Sequence, residues 1–113
     1  MTLLTESVHT GEYLLSEGNA VSREEVVIAG GSFVAGQVLG IIIASGKYTA
    51  HDPAAAAILY GAVDASAADA DGVITARLAE VNDDLLTWKT GISAPDKATA
   101  IAALATHDIY VRS

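Results

Sequence analysis

A mainly β domain closed by one C-terminal helix is what this sequence predicts, and three observations carry the prediction. β-Branched residues come in short runs, as in REEVVI, VLGIII and GVIT. Turn-forming pairs punctuate them: Gly30-Gly31, Ser45-Gly46, Asp71-Gly72 and Asn82-Asp83. One stretch alone, SAPDKATAIAALATHD, carries a full set of helix-start signals.

The first apolar group is HTGEYLLSEGN, where Tyr13, Leu14 and Leu15 stand between Glu12 and Glu17 and between two glycines. Its pattern alone fits a first or edge strand of the domain. Arg23 to Gly31 reads as a strand entering a tight turn at the double glycine. Val34 to Pro53 carries Val38, Leu39, Ile41, Ile42 and Ile43, a run too continuous for simple alternation and so expected to be buried on both faces. Ser45-Gly46 then makes a hairpin turn into Lys47-Tyr48-Thr49. Ala57 to Ala65 reads as one central strand closed by Asp64. In Asp69 to Trp88, Asp71-Gly72 reads as a turn and Asn82-Asp83-Asp84 as the turn of a hairpin returning through Leu85 to Trp88.

The helix is expected to start at Ser93 as N-cap, with Pro95 in its first turn and Asp96 three residues after the serine. Ala98, Ile101, Ala102 and Ala105, with Leu104 beside them, form a narrow stripe of mostly small side chains. Ile109 to Ser113 alternates apolar and polar residues as a last strand.

Composition limits what such a domain does. A chain of 113 residues is one domain that buries enough surface to fold without staples, and it has no cysteine. Acidic residues stand at the N-terminus where a signal peptide carries basic ones, and no apolar run is long enough to span a membrane. The net charge of −8, from 14 acidic against 6 basic residues, repels phosphate backbones, so no nucleic-acid partner is expected.

The residues that carry chemistry elsewhere are not arranged for it here. His51-Asp52 and His107-Asp108 lack the convergent ligand spacing of a metal site; the first pair reads as a turn and the second as a helix C-terminus. Asp69-Ala70-Asp71-Gly72 resembles part of a calcium loop, but Leu78 stands where the loop's glutamate belongs. Gly36-Gln37-Val38-Leu39-Gly40 lacks the third glycine and the following helix of a dinucleotide site. No serine sits in a Gly-x-Ser-x-Gly elbow. Neither catalysis, cofactor nor metal is therefore expected.

The order of blocks is more informative than any one of them. GEYLLSE, then VLG with ASGKYTAHDPAAA, then ILYGAVDASAAD, then ITARLAEVNDDLLTW and a helix ending in HDIYVR, resembles the bacteriophage head decoration protein D family, the lambda-type capsid-stabilising proteins. The likeness runs from about Thr5 to Arg112, and the stretch between Pro53 and Ile58 is more compact than in the family pattern.

The resemblance implies a β-clip-like domain over residues 20–113, preceded by a flexible N-terminal arm over residues 1–19. It implies a homotrimer on local three-fold positions of the expanded phage head, cementing the major capsid protein against internal DNA pressure, on the outer surface of the virion after synthesis in the host cytoplasm. The arm would add a strand to a capsid-protein segment through Thr5, Glu6, Glu12, Tyr13, Leu14, Leu15, Ser16 and Glu17. On that view, removing Met1 to Asn19 leaves the domain folded. Two other classes remain open: a tail or fibre subunit, which would self-polymerise, and a small ligand-binding or enzymatic β-domain with a polar pocket, for instance around His51.

Overall fold

The computed structural model describes residues 10–17, 22–52 and 54–112. Ten strands and one helix follow in the order β1 (Leu14–Glu17), β2 (Arg23–Ile28), β3 (Gly31–Phe33), β4 (Val38–Ile42), β5 (Lys47–Ala50), β6 (Ala57–Leu59), β7 (Val63–Ala65), β8 (Ala70–Thr75), β9 (Ala79–Asn82), α1 (Ala94–Ala105) and β10 (Ile109–Arg112). The mainly β prediction with one C-terminal helix holds. Five strands close a barrel in the order β2-β5-β4-β6-β8, β1-β9-β10 form a second sheet, and β3-β7 a small third one.

Two hydrophobic clusters result from alternation along the barrel strands. One gathers Ile28, Leu39, Leu59 and Ile74 from β2, β4, β6 and β8. The other gathers Val38 and Ile58, the alternate neighbours of Leu39 and Leu59, with Val81, Ile109, Tyr13 and the helix residues Ala100 and Leu104. Strands β4 and β6 thus contribute to both clusters, as their unbroken apolar runs require. The two-sided burial ends before the hairpin tip, where Ile41 is half-exposed and Ile43 is 93% exposed.

Four expectations are corrected. Asp71-Gly72 is no turn: both lie within β8, where Gly72 faces Val26 of β2. A Cβ there would stand 2.8 Å from Ile28 and 2.9 Å from Val63, so glycine serves close packing. The single strand over Ala57 to Ala65 is two, because β6 pairs β4 and β8 while β7 leaves to pair β3.

The hairpin through Asn82 to Asp84 does not form either. Leu78 takes a left-handed backbone (φ 55°), and beyond it the chain leaves the barrel, so that β9 pairs β1 and β10. Asn82 to Leu85 makes a short 3₁₀ turn, capped by the Asn82 side chain on the Asp84 N–H, and Thr87 only bridges Gln37. Finally, the buried face of α1 runs through Ala100 and Leu104, not Ala98, Ala102 and Ala105. Ser93 does cap it, accepting the Asp96 N–H at 3.2 Å. In so alanine-rich a helix, periodicity says little about facing, and the one leucine settles it.

Part of the expected arm belongs to the domain. β1 pairs antiparallel with β9, Leu14 opposite Val81 and Ser16 opposite Glu80, with a bulge between them. Tyr13 is fully buried in the cluster beneath this sheet. Residues 10–17 thus belong to the domain, with Tyr13 in its core and β1 paired to β9.

Candidate interaction surface

The N-terminal segment is fastened at four successive points. The Gly11 N–H donates to the Tyr60 carbonyl at 2.8 Å, and a Cβ on Gly11, whose φ is +70°, would stand 2.8 Å from the Tyr60 ring. The Tyr13 carbonyl accepts the Asn82 N–H at 2.8 Å, while its phenol bonds the hydroxyl of buried Thr75 on β8. Burial pushes the Tyr13 phenol well above its ordinary pKa, so it stays a neutral hydrogen-bonding group. Arg23 holds Glu17 in an ion pair and stacks its guanidinium 4.2 Å above the Tyr60 ring.

The sequence-predicted contact residues therefore divide. Tyr13 is in the core, Leu14 packs against it, and Glu17 is engaged by Arg23. Glu12, Leu15 and Ser16 face outward, Leu15 with 55% of its surface exposed. Thr5 and Glu6 lie outside the described residues.

Beside Ser16, the outer face of the β1-β9-β10 sheet forms an open groove of about 530 Å³ lined by Ser16, Leu78, Ala79, Glu80, Asp108 and Tyr110. Leu78 and Asp108 are the two non-glycine residues with left-handed backbone (φ 55° and 58°) among those described. Each stands immediately before its strand, β9 or β10, and the Ala79 N–H donates to the Asp108 carbonyl at 3.0 Å, so the strands start side by side. The Tyr110 hydroxyl donates to Asp108 at 3.0 Å, which raises the phenol's pKa. Glu80 receives Arg112 at 3.3 Å and the Ser16 hydroxyl at 3.4 Å. Sequence reasoning missed this groove: the alternation of the last strand points Tyr110 outward, but nothing local shows that Leu78 and Ser16 stand beside it.

The recess at His51 is smaller, about 460 Å³. His51 is buried, its Nε2 accepts the Lys89 N–H at 2.9 Å, and its ring meets Trp88 edge-on. Lys89 pairs with Asp52 at 2.6 Å, which lowers the carboxyl's pKa. Trp88 donates to Asp83 at 2.9 Å, and Lys97 reaches the same carboxylate at 3.0 Å. These groups tie the Thr87 to Thr90 loop to the barrel. Among the described residues, no three His, Asp or Glu side chains converge into a metal cage, and no helix is long and apolar enough to cross a membrane.

A comparison with curated proteins finds no match. The family model of bacteriophage lambda head decoration protein D matches residues 3–109, which take in β1 to β9 and the helix and reach the first residue of β10, and the chain belongs to that family.

Proposed function

We propose that this head decoration protein acts as a homotrimer at local three-fold positions of the expanded head, binding the major capsid protein from outside and holding the shell against the pressure of packaged DNA. The observation that carries the reading is the family match over residues 3–109, which makes the chain a structural component of the phage head. Synthesis in the host cytoplasm and assembly onto a finished shell belong to the same proposal.

The contact residues are redistributed by what the fold has already used. Tyr13 and Leu14 anchor the segment from below. Thr5, Glu6, Glu12, Leu15 and Ser16 are the contacts proposed for the capsid, with the chain before Thr10 adding a strand to a capsid-protein segment and β1 serving as its fixed base.

Co-sedimentation of the purified protein with expanded heads lacking it, together with its mass by light scattering, tests this reading. Saturable binding near one copy per capsid subunit, as a discrete trimer or a monomer that trimerises on the heads, is expected. An open polymer that ignores heads would overturn it in favour of a tail or fibre role.

A further inference from the structure

We propose that the groove across the outer face of the β1-β9-β10 sheet docks a cationic, partly apolar segment of the head shell, an inference that rests on the decoration reading and names the chemistry of its partner. The sheet's inner face is closed, with Ala79, Val81 and Ile109 buried in the core. Its outer face carries apolar surface that the fold does not cover. Leu78 and Tyr110 rim the groove with 46% and 42% of their surfaces exposed, and Leu15, the extra residue of the β1 bulge, adjoins Ser16 at its edge. Bulges re-aim side chains in this way at sheet edges.

The backbone contributes to the same exposure. A leucine in the left-handed region is disfavoured by about 1 kcal/mol or more. In return Leu78 stands at the groove, in neither hydrophobic cluster.

Charge identifies the occupant. All six lysines and arginines of the chain are in ion pairs with its own carboxylates. Among the described residues a second copy of this chain therefore offers no lysine or arginine outside such a pair. Asp108 is in none of those pairs; its carboxylate lies in the groove with only the Tyr110 hydroxyl on it among the described residues. A partner segment with a lysine or arginine between apolar residues satisfies both features. The side-chain stem covers Leu78 and Tyr110, and its charged end meets Asp108.

The test compares two full-length double variants in binding to decoration-free expanded heads. Asp108→Asn with Tyr110→Ser removes the Asp108 charge and one wall of the groove, and asparagine tolerates the left-handed backbone at 108. Glu25→Gln with Val27→Ser makes the same kind of change on the exposed face of β2. The groove variant is expected to bind about tenfold more weakly, with less salt dependence, and the β2 variant to match the parent. Equal affinity of the groove variant and the parent, or equal losses in both variants, would overturn the inference.

If the parent itself ignores heads, the decoration reading fails, and the groove is judged separately by titrating an acetylated Leu-Lys-Leu-Arg-Leu amide into the ¹⁵N-labelled protein. Amide shifts at Ser16, Glu80 and Tyr110 that vanish in the groove variant support it, and absent or scattered shifts reject it.

Discussion

Tyr13 shows how one side chain decides between two readings of the same words. GEYLLSE has the composition of an arm and of an edge strand alike, and nothing within it reveals that the phenol will meet Thr75, 62 residues later. Two substitutions measure that seat. Tyr13→Ala is expected to cost about 3–5 kcal/mol in urea unfolding. Tyr13→Phe strips the Thr75 hydroxyl of this partner and should cost about 1–2 kcal/mol. Because the folded-state pKa of Tyr13 is raised, the stabilisation tied to its neutral form is complete below the unfolded phenol's pKa and is lost as pH climbs above it. Phenolate absorbance should accordingly show Tyr13 ionising only as the protein unfolds in alkali. At Leu78 the expectation has the opposite sign: Leu78→Gly relieves the left-handed strain, and a gain of about 0.5 kcal/mol in unfolding free energy by urea titration is expected alongside any loss of binding.

Among the elements, those with local causes were legible. The Ser93 cap, the double-glycine end of β2, the Ser45-Gly46 hairpin and the last strand follow from residues within a few positions of one another. Ser93→Ala should cost about 1 kcal/mol of thermal stability. What the sequence concealed were choices of partner. β8 and β9 read as parts of one hairpin arm, yet a left-handed Leu78 sends them to different sheets, and β6 and β7 part in the same way. Strand pairing is settled by which faces remain to be covered once the barrel closes, and no short window contains that information. The N-terminal element gives the sharpest contrast. Removing residues 1–9 should leave the melting curve nearly unchanged while weakening head binding. Removing residues 1–17 takes away β1 and Tyr13 and should lower the melting temperature by many degrees, as circular dichroism would record.

For the molecule as a whole, the acidic balance that excluded nucleic acid has a positive meaning once the ion pairs are counted: its cations are spent internally and its surplus carboxylates face outward. Affinity for heads should therefore fall severalfold between low and high salt, while unfolding in urea changes little over the same range. The family was legible from the order of blocks, but the groove was not, since it exists only where β1, β9 and β10 come together. One feature of the core bears on how such a molecule carries load. Because β4 and β6 present Val38 and Ile58 to one cluster and Leu39 and Leu59 to the other, loosening either cluster disturbs strands that the other needs. A tug on the N-terminal segment enters through Tyr13 into the first cluster and through Thr75 into the barrel wall. Such a body is expected to give way as one unit, which is the mechanical behaviour of a rivet.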